Sequence, residues 1–87
     1  MRIYKWTLEI TDEQTLPMPA NAEILCVQIQ HGEPQLWALC DEVQFPGKRT
    51  IYIYGTGNPI SKNPGKYIGT FQTHNGKLIW HVFEAVQ

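Results

Sequence analysis

The residues with the most capacity for chemistry lie in one polar stretch, Gly55–Lys66, which reads GTGNPISKNPGK. Backbone N–H groups around Gly55 and Gly57 can form an anion nest, and Lys62 and Lys66 follow close behind. Thr56, Asn58 and Ser61 add hydrogen-bonding groups, and Lys48 and Arg49 precede the stretch. Together these residues make a candidate site for a phosphate-bearing small ligand, such as a signalling nucleotide. Its expected contacts are Lys48, Arg49, Gly55, Thr56, Gly57, Asn58, Lys62 and Lys66. The spacing tempers that expectation. No Gly-Lys pair is followed by Ser or Thr, no helix follows to aim its N-terminus, and the third glycine of a dinucleotide fingerprint is missing. The competing reading is a long connection in which Pro and Gly serve chain geometry, and the sequence favours it.

Catalytic chemistry finds less support. His31 and His74 fall at expected hairpin tips, and His81 falls mid-strand, where a cross-strand pairing with Thr70 accounts for it. None has a neighbouring ligand at metal-binding spacing, and Cys26 and Cys40 form no CxxC, so neither a metal nor a cofactor is expected. Ser61 is the single serine and has no GxSxG around it. The pairs Asp12/Glu13 and Asp41/Glu42 sit in turns, which suits solvation better than general acid–base work. The expectation is a protein that is not an enzyme.

A surface is the last candidate. Trp37 and Leu39, flanked by Gln28, Gln30 and Gln35, make a mixed aromatic and amide face that Tyr52 and Tyr54 could extend. Trp and Tyr are common interface anchors, so Trp37, Leu39, Tyr52 and Tyr54 are expected protein-interface residues. The alternative is a second core layer inside a sandwich.

The elements that must position these groups are strands. Residues 2–10 alternate, with Tyr4, Trp6, Leu8 and Ile10 on one face. Thr11–Gln14 reads as a polar turn, and Leu16–Ala20, with two prolines, as an edge segment or linking arm. Glu23–His31 and Gln35–Asp41 form a hairpin around HGEP. A two-residue turn sets Leu25, Val27 and Ile29 opposite Leu36 and Ala38 and points Cys26 and Cys40 to opposite faces; a three-residue turn would bring the cysteines together. The first register has the cleaner core. Glu42–Lys48 reads as a loop with a turn at Pro46-Gly47. Arg49–Tyr54 is apolar or aromatic on both faces, as in a central strand. Asn75-Gly76 is a type I′ signal joining Tyr67–His74 to Lys77–Phe83, with Phe71 opposite Trp80 and Ile68 opposite Phe83. Tyr52, Tyr54, Tyr67 and Phe71 would then form the aromatic half of the sheet. The sum is an all-β protein, a small antiparallel β-sandwich or barrel of about six strands with no substantial helix.

Eighty-seven residues make one domain, 1–87, with a modest core, and small β domains of this kind often gain stability as homo-oligomers. A net charge of −1 argues against a sequence-specific nucleic-acid binder. The charge is unevenly placed along the chain. The acidic first half holds Glu9, Asp12, Glu13, Glu23, Glu33, Asp41 and Glu42, and the basic second half Lys48, Arg49, Lys62, Lys66 and Lys77. A fold that mixes the halves would disperse this imbalance. No apolar run is long enough to span a membrane and the N-terminus lacks a signal-like segment, so the expected location is the cytoplasm.

Trp6–Asp12 (WTLEITD), Ala22–Gln28, Leu36–Asp41, Tyr54–Pro59, Tyr67–Thr70 and Trp80–Phe83 give the chain a further quality. Over nearly its full length it resembles a family of small uncharacterised proteins encoded by bacteriophages and prophages. Cys40 stands where that resemblance leads one to expect an aliphatic residue, which implies a buried structural role. The resemblance implies an accessory protein acting in the host cell cytoplasm, by binding a host protein and antagonising a bacterial defence system. Sequestration of a nucleotide signal and a virion structural or assembly role are the alternatives it leaves open.

Overall fold

The structure, a computed structural model, describes residues 1–41 and 46–86. The expected loop over Glu42–Lys48 lies outside the described residues at positions 42–45, as does Glu42 of the Asp41/Glu42 pair. Among the described residues there is no helix. Seven strands run in order: β1 (Arg2–Thr7), β2 (Glu13–Pro17), β3 (Glu23–Gln30), β4 (Glu33–Cys40), β5 (Lys48–Gly55), β6 (Lys66–Thr73) and β7 (Leu78–Glu84). They form two sheets, β1-β4-β3 and β2-β5-β7-β6, with every pairing antiparallel and no closed barrel.

Alternation sets the core. β4 turns Leu36, Ala38 and Cys40 inward, β3 adds Val27, and the opposing sheet supplies Ile51, Ile53, Phe71 and Val82 to the same cluster. Cys40 is buried there among aliphatic side chains. Cys26 pairs with Trp37 on the other face of the sheet, and both cysteines are free thiols. Along one side, Trp6 donates its indole N–H to the carbonyl of Pro17 at 2.9 Å, tying β1 to β2. Along the other side β3 and β6 approach closely, and a Cβ on Gly69 would lie 2.8 Å from a Val27 methyl.

The sequence pattern fails at a few places, each for an identifiable reason. β2 is a seventh strand that begins at Glu13, inside the expected polar turn. It is an edge strand, which is why it tolerates Pro17. β1 ends at Thr7; Leu8 is buried beyond it, whereas Tyr4 and Ile10 are exposed. The β3–β4 hairpin has the two-residue turn, with His31 (φ 51°) and Gly32 (φ 80°) both left-handed. A bulge between Ile24 and Cys26 then puts Ile24 opposite Ala38 and leaves Leu25 exposed rather than in the core. The β6–β7 hairpin turns at Asn75-Gly76 and pairs Phe71 with Trp80 as the alternation requires. A second bulge, between Tyr67 and Gly69, sets Tyr67 rather than Ile68 opposite Phe83.

Candidate binding site

β5 is interior to its sheet, between β2 and β7. Its alternation puts Ile51 and Ile53 in the core and Tyr52 and Tyr54 on the outer face. β7 turns Phe83 to the same side as the partner of Tyr52, and β6 adds Tyr67. The four rings touch in series. Tyr52 and Tyr54 lie 6.3 Å apart, Tyr54 and Phe83 6.0 Å, and Phe83 and Tyr67 5.4 Å, the last two pairs edge to face. Beside them His81 engages both ring nitrogens, with the Thr56 hydroxyl at 2.7 Å and the Thr70 hydroxyl at 3.1 Å. Phe71 belongs to the core, so Phe83 takes the place in the aromatic run that the sequence suggested for Phe71.

The register shows why the 55–66 stretch is long. Both β5 and β6 pair antiparallel to β7, so they run parallel to each other. The chain leaves β5 opposite Trp80 and must enter β6 opposite Glu84, at the other end of β7. It turns first at Gly55–Asn58, where Asn58 N–H donates to the Gly55 carbonyl and Gly57 takes φ +88°. It then crosses the outer face at Tyr52 and reaches Gly65 (φ +95°), packed against the carbonyl of Glu84.

The crossing encloses a cavity of about 270 Å³. Tyr52 and Tyr54 wall it, the 55–62 segment covers it with Gly55, Asn58, Pro59, Ser61 and Lys62, and Asp12 and Glu13 close the β2 side. The Lys62 ammonium sits 4.1 Å from the Tyr52 ring centroid and donates to Glu13 Oε1 at 3.5 Å. Hydrogen bonding to the Tyr52 side chain, opposed by desolvation and then assisted by Glu13, raises the Lys62 pKa above its ordinary value. The Lys62–Glu13 pair joins the acidic and basic halves of the sequence, so part of the charge asymmetry cancels in space.

The remaining candidates are dispersed. Arg49 pairs with Glu84 and also donates to the carbonyls of Pro19, Ala20 and Ala22, so its guanidinium is committed to the fold. Lys66 and Arg49 line a different cavity, of about 460 Å³, together with Glu84 and Glu23. Lys48 is exposed opposite Pro17. The expected anion contacts are therefore not gathered at one point. Trp37 and Leu39 face outward from the three-stranded sheet, on the side of the molecule away from Tyr52 and Tyr54. The two halves of the expected interface are separate surfaces. Among the described residues no three His, Cys, Asp or Glu side chains gather as a metal site would need, and no helix is long and apolar enough to cross a membrane.

The family described as the domain of unknown function DUF7352 matches residues 1–87. The chain belongs to this family. No curated protein and no solved structure matches it. Membership in DUF7352 brings no activity with it, so the reading of function rests on the geometry. Sequence reasoning missed Asp12 and Glu13 as site residues because it placed them in a solvated turn. It missed Phe83 because the bulge that aligns it with Tyr67 leaves no mark in the alternation.

Proposed function

We propose that this protein is a non-enzymatic binding module whose working surface is the outer face of the β2-β5-β7-β6 sheet. The observation that carries the reading is the run of four rings, Tyr52, Tyr54, Phe83 and Tyr67, on a face that no other element of the described chain packs over beyond the 55–66 crossing. Tyr67 is 54% exposed, and aromatic side chains of this kind are the usual anchors of protein interfaces. The resemblance of the sequence to phage-encoded proteins supports a bacterial host protein as the partner class and inhibition of a defence system as the role in this reading. A homo-oligomer stays within the proposal, because β1 is an edge strand with Ile3 and Tyr4 exposed. The nucleotide alternative draws less support, because the expected basic residues are split between two cavities and Arg49 is committed.

The test is affinity capture from bacterial lysate, with the wild-type protein compared with Tyr67→Ala and Trp37→Ala. The expected outcome is a partner retained by Trp37→Ala and lost by Tyr67→Ala. Loss on Trp37→Ala alone would move the working surface to the other sheet.

A further inference from the structure

The cavity beneath the crossing has a chemistry that the aromatic run alone does not have. Its walls include two tyrosines, Tyr52 and Tyr54, and its β2 side is lined by two acidic residues, Asp12 and Glu13. Phosphate would meet two negative charges there and one positive one. A cation would meet ring faces and carboxylates together, the combination that recognises ammonium and guanidinium groups. The molecule already shows this preference with a cation of its own. Lys62, with its side chain 53% exposed on the crossing, places its ammonium over Tyr52 and against Glu13.

We infer that the cavity lined by Asp12, Glu13, Tyr52 and Tyr54 is a receptor for a basic side chain, Arg or Lys, presented by a protein partner, and that Lys62, at its edge, holds the cation position against Tyr52 and Glu13 as an internal surrogate in the free protein. The inference rests on the reading of the outer face as a protein-binding surface and names what that partner brings. The partner's side chain displaces Lys62 rather than adding beside it. Asp12 supplies the second carboxylate; its side chain makes no ion pair with any described residue, so it is open to the incoming group. Guanidinium fits better than ammonium, because it can bridge two carboxylates while lying flat on a ring.

The experiment is an NMR titration with Nα-acetyl-arginine amide, using its neutral citrulline counterpart as the control. The arginine probe is expected to shift the resonances of Asp12, Glu13, Tyr52 and Tyr54, and the citrulline probe to leave them in place. Lys62→Ala removes the internal competitor and is expected to tighten arginine binding about two- to five-fold, the range that an exposed ion pair is worth. Glu13→Gln and Asp12→Asn are expected to weaken it in the Lys62→Ala background. All three positions are exposed, so the variants keep the fold, and thermal unfolding verifies this. Equal binding of citrulline, no gain with Lys62→Ala, or no arginine binding to any variant would overturn the inference. Tyr67 lies outside the cavity. If arginine fails to bind while Tyr67→Ala still loses a captured partner, the cavity assignment fails and the aromatic surface stands.

Discussion

Arg49 and Glu84 form an ion pair diagonally across β5 and β7, and the same guanidinium caps the carbonyls at the turn between β2 and β3. Glu84 is the register partner of Ile51, two residues beyond Arg49, so the pair closes one end of the four-stranded sheet. Arg49 also donates to Ala22 O at 2.8 Å, and to Pro19 O and Ala20 O at 3.3 and 3.4 Å. One side chain therefore joins the strands to the chain that leads into the other sheet. Both partners are 13% exposed, so water replaces little of what is lost when one is removed. Arg49→Ala strands a nearly buried carboxylate and is expected to cost about 2–4 kcal/mol. Arg49→Lys keeps the charge but not the fork, and should fall in between. Urea unfolding measures both. A loss below about 0.5 kcal/mol for Arg49→Ala would return Arg49 to the pool of free ligand-binding residues.

Gly65 is where the crossing meets the sheet. Its φ is +95°, and a Cβ there would overlap the Glu84 carbonyl oxygen. Both the backbone region and the backbone contact exclude a side chain. Gly65→Ala is expected to destabilise the protein by at least about 2 kcal/mol in urea unfolding. Gly57, equally left-handed at φ +88°, has open space around its Cβ, so Gly57→Ala should cost less, about 1 kcal/mol. Equal costs at the two positions would mean that the contact with Glu84 adds nothing to the backbone effect.

The same contrast shows what could be read from the sequence. Turn chemistry is local, so Asn75-Gly76 and the two-residue turn after Gln30 were legible, and with them the Phe71–Trp80 pairing and the opposed directions of Cys26 and Cys40. A bulge is not local. Leu25 and Ile68 continue an apolar alternation, and only the partner strand decides that each interrupts its ladder. The start of β2 was hidden for a related reason, since Glu13 becomes a strand residue only by pairing with Tyr52, 39 positions away, whereas Leu16 and Pro17 fall within the expected edge segment. The candidate site was legible as parts. Tyr52, Tyr54, Gly55, Asn58 and Lys62 were each identified, but as two separate sites. They meet because β5 and β6 are parallel, and the order β2-β5-β7-β6 cannot be read from the residues of any one strand.

His31 offers a gain in stability. It takes φ 51° at the first position of the β3–β4 turn, a region that histidine enters less readily than asparagine. It is exposed, so its ring is not needed for packing. His31→Asn creates Asn-Gly, the preferred pair for a type I′ turn, and should raise stability by about 0.5–1 kcal/mol. A rise in the urea midpoint with an unchanged slope is the expected result. A fall would show that the imidazole makes a contact that outweighs the backbone preference.

The Lys62 contact carries a pH signature whose sign is fixed. Its pKa in the folded protein is raised above 10.5, chiefly by hydrogen bonding to the Tyr52 side chain. A raised lysine stabilises the folded state fully below its unfolded value and loses that contribution as pH climbs through the folded value. The nuclear Overhauser contact between the Lys62 side chain and the Tyr52 ring should therefore persist from neutral pH up to 10.5 and fade only above it. Glu13→Gln removes one of the charges that hold the ammonium but leaves the ring contact, so the Overhauser signal should weaken rather than vanish in that variant at neutral pH. A signal abolished by Glu13→Gln would show that the carboxylate alone holds Lys62 in place, and that the Tyr52 ring contributes no attraction for a cation.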